Sequence, residues 1–204
     1  MEKHNYTGKT REEAILNATT DLREVESNLI IKEVGSSKGG LFKSSKVEIE
    51  VIEKREVVKY IKEYLISLLK QLGFQAQVEL KTKEETPLFM IYSENDGLLI
   101  GKNGKNLKAI SFYTGLHISK ELGKNFRFLI DVNDYNKKRE KRLESLAKRT
   151  AKEVANTKIE AKLDPMNSYE RRIIHNALTN FNNVYTESEG EEPNRYVVIK
   201  PKED

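Results

Sequence analysis

The chain has no cysteine and no tryptophan, and only three histidines and four prolines among its 204 residues. Without cysteine there is neither a disulfide nor a thiolate metal site, and a reducing compartment suits such a chain. His4, His117 and His175 are too scattered to read as a zinc cluster. No apolar run approaches the roughly 20 residues a membrane-spanning helix needs, and Met1–Tyr6 lacks the apolar core of a signal peptide. These absences lead us to expect a soluble, cytoplasmic protein. The chain also lacks a paired-histidine metal motif and a Ser-His-Asp signature, so no catalytic residue, no metal and no cofactor is expected.

What the chain has is charge. Charged residues make up 33% and hydrophobic ones 37%, a balance that suits small domains with solvated surfaces, and 204 residues allow one to three of them. The net charge is only +4, but it is uneven: residues 97–127 carry six basic and one acidic side chain, and residues 134–182 carry twelve and seven. The flanking stretches are net acidic. Two basic segments on a nearly neutral chain read as two contact surfaces for a polyanion, against the plainer reading of lysines on solvated helices.

The first basic segment contains Leu98-Leu99-Ile100-Gly101-Lys102-Asn103-Gly104-Lys105-Asn106-Leu107. It reads as a short helix, a four-residue turn and a longer helix. Glycines without a Cβ let the chain turn and let a ligand backbone approach, and the helix that follows directs unsatisfied N–H groups into the notch. Lys102 adds a positive charge within the turn, with Lys105 and Lys108 behind it. A Gly-x-x-Gly loop of this kind in a KH domain clamps about four nucleotides of a single strand by their backbone. The four residues alone fit equally a helix–helix turn with surface lysines, so the surrounding elements must decide.

Those elements are predicted as follows. Residues 1–52 form a β-α-β-β unit: a strand near Lys3–Thr7, a helix from Arg11 with Ala14, Ala18, Leu22 and Val25 at helical spacing, and strands at Leu29–Val34 and Lys46–Ile52. Thr10 and Glu13 are placed for a capping box. The turn from Gly35 to Gly40 imitates a phosphate loop but is followed by Leu41 instead of Lys-Ser/Thr, so a hairpin is the better reading. After a charged bridge comes a helix with Val58, Ile61, Leu65, Leu68, Leu69 and Leu72 on its stripe and Gly73 at its end. Strands follow at Gln77–Lys83 and Leu88–Tyr92, then the glycine turn, a helix with Leu107, Ile110, Thr114 and Ile118 on one side, and a strand alternating Phe126, Phe128, Ile130 and Val132. The order α-β-β-α-α-β is that of a type II, bacterial KH fold. His117 is expected buried or half-buried within it.

Residues 134–204 read as a third, α+β domain: a basic helix capped by Asp134, a helix capped by Asn167 with Glu170, and strands at Val184–Thr186 and Tyr196–Ile199 around the acidic loop Glu187–Pro193. Arg171 and His175 lie four apart on one helix face, suited to holding a phosphate. The plain alternative is a helix-packing contact.

Asp164-Pro165-Met166-Asn167-Ser168-Tyr169-Glu170-Arg171-Arg172-Ile173-Ile174-His175, then Ser188-Glu189-Gly190-Glu191-Glu192-Pro193-Asn194-Arg195, together with Ile100-Gly101-Lys102-Asn103-Gly104-Lys105, resemble the Jag (SpoIIIJ-associated) family of bacteria, also called KhpB or EloR. Gly8-Lys9-Thr10, Glu13-Ala14 and Lys38-Gly39-Gly40-Leu41-Phe42 resemble its N-terminal domain more weakly, and Lys43 departs from the glycine usual there. The resemblance covers almost the whole chain. It implies an N-terminal Jag domain (1–52), a KH domain (53–133) and a C-terminal Arg-x-x-x-His domain (134–204). It further implies an RNA-binding adaptor in cell elongation or division, a small separate KH protein as partner, and a functional link to the membrane protein insertase.

On that basis single-stranded RNA, with single-stranded DNA as an alternative, is expected at Gly101, Lys102, Asn103, Gly104, Lys105 and Lys108, and at Arg171, Arg172, His175 and Arg195. Two rivals stay open. One is a phosphodiesterase using His175 with Glu170 or Asp164, with a magnesium ion at Glu189, Glu191 and Glu192. The other is a protein scaffold, with a homodimer formed through Phe112 and Tyr113.

Overall fold

The N-terminal helix fixes the first layer. In the computed structural model, which describes residues 1–37 and 46–202, α1 (Arg11–Leu22) lies on a sheet of β1 (His4–Gly8), β2 (Leu29–Ser37) and β3 (Lys46–Glu53) in the order β1-β3-β2, all antiparallel. Ala14, Ile15 and Ala18 pack on Leu29, Ile49 and Val51. Val25, expected on this stripe, falls beyond the helix and is exposed; Ile15 takes its place. Thr10 accepts from the Glu13 amide at 3.2 Å, but the Glu13 carboxylate accepts from Lys9 N at 2.7 Å, one residue short of the reciprocal box. Gly35–Ser37 belong to β2, which bulges between Glu33 and Gly35, so the turn begins later than the sequence indicated. The Lys38–Phe42 segment and Lys43 lie outside the described residues.

β3 passes without a linker into α2 (Lys54–Gln71), where Val57, Ile61, Leu65 and Leu69 are buried. The expected stripe is thus shifted at its ends: Val57 takes the place of Val58, and Leu72 is exposed. Gly73 stops the helix with φ +83°, donating to Lys70 O while Phe74 N reaches back to Leu69 O, the paired bonds of a Schellman end. β4 (Ala76–Lys83) and β5 (Thr86–Ser93) form a hairpin whose two loop residues, Glu84 and Glu85, both have positive φ, as a type I′ turn requires. Phe89, Met90 and Ile91 are buried in succession, as the unbroken apolar run predicts. Leu80 is exposed, since the outer half of β4 is uncovered.

The rest of the chain runs α3 (Asp96–Ile100), a 3-10 turn at Lys102–Gly104, α4 (Lys105–Leu122), β6 (Leu129–Val132), α5 (Tyr135–Thr157), β7 (Ala161–Lys162), α6 (Ser168–Leu178), β8 (Val184–Glu189) and β9 (Tyr196–Pro201). On α4, Leu107, Ile110, Thr114 and Ile118 are buried as their spacing indicated. Phe126 and Phe128 precede β6 and are not part of a strand; Phe128 sets its ring edge on Phe89 at 5.9 Å. His117 is half-buried, stacked on Tyr64 at 4.2 Å, with Nε2 2.9 Å from the Tyr60 hydroxyl.

β7, β9 and β8 form a C-terminal sheet in that order; the two-residue β7 was not legible as a strand. Its core joins Leu143, Ala147, Ala151 and Val154 of α5 to Ile173, Ile174 and Leu178 of α6 and to Val184, Val197 and Ile199. The fold is α+β. The chain divides into two compact units, Met1–Glu94 with Ser111–Leu129, and Asn95–Ile110 with Ile130–Asp204. The Gly101–Gly104 loop therefore falls in the same unit as the C-terminal helices.

Candidate nucleic-acid interface

The glycine loop is built on three left-handed residues out of four. Gly101 (φ 69°), Asn103 (φ 53°) and Gly104 (φ 75°) reverse the chain between α3 and α4. Asn106 secures the turn by donating from Nδ2 to the Leu98 carbonyl at 2.8 Å, and a Cβ on Gly101 would sit 2.6 Å from the Asn106 side chain. Gly104 is buried, and a Cβ there would meet the Tyr135 ring at 3.0 Å. Lys102, Lys105 and Lys108 are exposed and Asn103 is half-buried. Leu98 adds an exposed apolar surface next to them. The loop thus offers backbone, amide and ammonium donors on a support whose own groups point elsewhere.

That support comes from the residues just before and inside α5. Asp96 accepts from Asn133 Nδ2 at 2.9 Å, and Asn133 Oδ1 accepts from Lys138 at 3.2 Å. Asp131, 7% exposed, accepts from the backbone N–H of Val132 at 2.8 Å; its burial raises its pKa, against the lowering effect of that bond and of one from Asn136. Asn133 and Asp134 both have positive φ; Asp134 stands at the N-cap of α5, but its side chain makes no capping bond there, unlike the cap the sequence led us to expect.

The second candidate cluster is arranged differently from its sequence reading. Asn167 and Glu170 form the complete capping box of α6, and the Glu170 carboxylate also accepts from Arg139 Nε at 2.8 Å. Arg171 is 7% exposed, and its Nη1 donates to the Met166 carbonyl and to Glu192, each at 2.9 Å. His175 is half-buried with both ring nitrogens engaged, Nδ1 at 2.6 Å from Thr186 Oγ1 and Nε2 at 2.9 Å from Ser188 Oγ. Burial, and then the charge of Arg171, lower the pKa of His175. Arg172, Arg195 and Tyr169 are exposed.

The structure therefore groups Arg171 and His175 with Glu192, Thr186 and Ser188 inside the domain, and leaves Arg172 and Arg195 to the solvent. Tyr135, Thr186 and Ser188 were not singled out from the sequence, because nothing local marks a tyrosine or a hydroxyl that will meet a residue far along the chain. In the acidic hairpin, Lys200 bridges Glu187 (2.6 Å) and Glu189 (2.8 Å), so these carboxylates face a lysine. Among the described residues no group of three or more His, Asp or Glu side chains is placed to hold a metal ion.

A family model for the Arg-x-x-x-His domain matches residues 141–201. The chain is 35% identical to the RNA-binding protein KhpB of Clostridium symbiosum, an alignment covering 99% of this chain and 93% of the relative. It is 30% identical to the RNA-binding protein KhpB of Bacillus subtilis (strain 168), covering 99% and 100%. The chain belongs to the KhpB (Jag) family. Against the KhpB of Streptococcus pneumoniae serotype 2 (strain D39) it is 30% identical over 71% of this chain and 44% of the relative. The match to the Arg-x-x-x-His model begins inside α5 and ends with β9, so it takes in Arg171, Arg172, His175 and Arg195, while the Gly101–Gly104 loop lies outside it.

Proposed function

We propose that this chain binds single-stranded RNA through the Gly101–Gly104 loop as part of a KH domain, without catalysing a reaction on it. The observation that carries the reading is the loop itself: three left-handed residues, held by Asn106 and Tyr135, beneath exposed Lys102 and Lys105. The element order from α2 to β6 supports the KH assignment, and its relatives' names, RNA-binding protein KhpB, support RNA as the ligand. We take the modules as 1–52, 53–133 and 134–204. Lys102 and Asn103 contact phosphate or sugar oxygens, while Arg172 and Arg195 supply the exposed cations of the C-terminal domain. Family membership supports a small KH-domain partner, a tie to the membrane protein insertase and a role in cell elongation.

Fluorescence anisotropy with short single-stranded RNA tests the reading. Lys102→Asp should weaken binding across sequences and lower the salt slope by roughly 0.7 for each phosphate no longer neutralised. An unchanged slope would remove Lys102 from the interface. A wild type that binds no RNA would favour a protein-binding role, for which the exposed Phe112, Tyr113 and Leu116 on α4 provide the surface.

A further inference from the structure

We propose that the Gly101–Gly104 loop is one end of a longer single-strand track that continues along α5 past Tyr135 to Arg142 and Arg149. The proposal rests on the RNA-binding reading and extends it from a four-nucleotide clamp to a strand several nucleotides longer.

Loop and track meet directly. The Tyr135 ring stands where a Cβ of Gly104 would be, so the first residue of α5 touches the last residue of the loop. Tyr135, Arg142 and Arg149 then follow at intervals of seven, which return to the same helix face within about 20° per step. Lys138, Ser145 and Lys152 fall beside them, and Arg139 and Arg142 both act electrostatically on the Tyr135 hydroxyl. At 1.5 Å per residue, Tyr135 to Arg149 spans about 21 Å.

The charges on α5 are sorted. Leu143, Ala147, Ala151 and Val154 turn into the core. Glu140 and Glu144 fall about 160° around the helix from the Tyr135–Arg142–Arg149 line, and the next acidic residue near that line is Glu153, beyond its end. A helix serving only for solubility would intersperse the two signs on each exposed face. Lys138, Lys141, Arg142, Lys148, Arg149 and Lys152 are all exposed. Arg139 is excluded from the track because it is tied to Glu170 at 2.8 Å; that bond fixes α5 to the N-terminus of α6 and so fixes the line of the track. A half-buried tyrosine beside a phosphate-binding loop, followed by evenly spaced arginines, is the chemistry of a single-stranded polynucleotide: a ring for one base and forks for successive phosphates.

The test compares fluorescein-labelled oligouridine of about five nucleotides, enough for the loop, with one of about twelve, within the range such tracks occupy. Three variants of the full chain are used: Lys102→Asp, the double variant Arg142→Ala/Arg149→Ala, and the control Lys59→Ala/Lys70→Ala, which removes two exposed charges from α2. Lys102→Asp should weaken both oligonucleotides. The α5 double variant should leave the shorter one unchanged, weaken the longer one and lower its salt slope by about 1.4, the equivalent of two phosphates. The control should change neither. If the α5 variant binds the longer oligonucleotide as the wild type does, the track is wrong and the loop reading stands. Equal weakening by the control would likewise overturn the track, reducing it to diffuse charge. A wild type that binds neither oligonucleotide would overturn the RNA reading and the track with it.

Discussion

Arg171 and Glu192 are joined at 2.9 Å between the first turn of α6 and the loop after β8, and the same Arg171 nitrogen also donates to the Met166 carbonyl just before the helix. The arginine that gives the motif its name is thus a brace between three segments of its own domain. Arg171→Ala should therefore cost about 1–3 kcal/mol in urea unfolding, since it leaves a buried carbonyl short of a partner. Glu192→Gln should cost under about 1 kcal/mol, because the Glu192 side chain is 59% exposed. Arg172→Ala should change stability by no more than about 0.5 kcal/mol and act on RNA affinity instead. The opposite pattern, a stable Arg171→Ala with lost binding, would restore Arg171 to the interface.

Gly104 and Tyr135 are predicted to be energetically coupled. A methyl at Gly104 would carry the strain of φ +75° and also press on the Tyr135 ring at 3.0 Å. Gly104→Ala should cost about 1–2 kcal/mol from the left-handed backbone alone, and more with Tyr135 in place. In a double-mutant cycle with Tyr135→Ala, the Gly104→Ala penalty should shrink towards the backbone value. Additive penalties would mean that the ring moves aside freely.

His175 should titrate below the ordinary histidine value of about 6.5, because burial and then Arg171 disfavour its charged form. The unfolded chain then binds the proton more readily than the fold does. Stability from this group is complete above about pH 6.5 and is lost as the pH falls from there through the lower folded value. Nitrogen-detected NMR titration would give the value directly. In His175→Gln, the decline in melting temperature between about pH 7 and 5 should flatten. A folded pKa at or above the ordinary value would show that the Thr186 and Ser188 hydroxyls stabilise the imidazolium.

Local signals were legible where one element supplied both partners. The capping box Asn167–Glu170, the Gly73 helix end and the Phe89–Ile91 core strand need only neighbours in sequence. The glycine loop was legible for the same reason: its geometry is dictated by residues at fixed spacing. Arg171 and His175 do share one face of α6, as their spacing indicated, but which way that face turns depends on β8 and Glu192, contributed by a different part of the chain. Phe126 and Phe128 have strand alternation without strand structure, because periodicity records burial and not hydrogen bonding. Tyr135 carried no signal at all, since its partner, Gly104, is a residue without a side chain.

Asp131 is predicted to be a cost to the fold at neutral pH. It is 7% exposed, and its burial raises its pKa in spite of the amide N–H groups of Val132 and Asn136. A carboxyl with a folded pKa above its unfolded value binds a proton more readily in the fold, so its penalty is fully present above the folded pKa and is relieved as the pH falls through it towards the unfolded value near 3.8. Asp131→Asn keeps an oxygen to accept from both amides and removes the buried charge. It should raise the melting temperature at pH 7, and the gain should diminish as the pH is lowered towards about 4. A loss of stability at pH 7 would mean that the charge is needed to hold the turn into α5. RNA binding by the variant separates the two roles: a more stable protein with unchanged affinity places Asp131 beneath the loop as scaffold, whereas a more stable protein that binds less tightly would show that its charge sets the geometry from which Tyr135 meets Gly104.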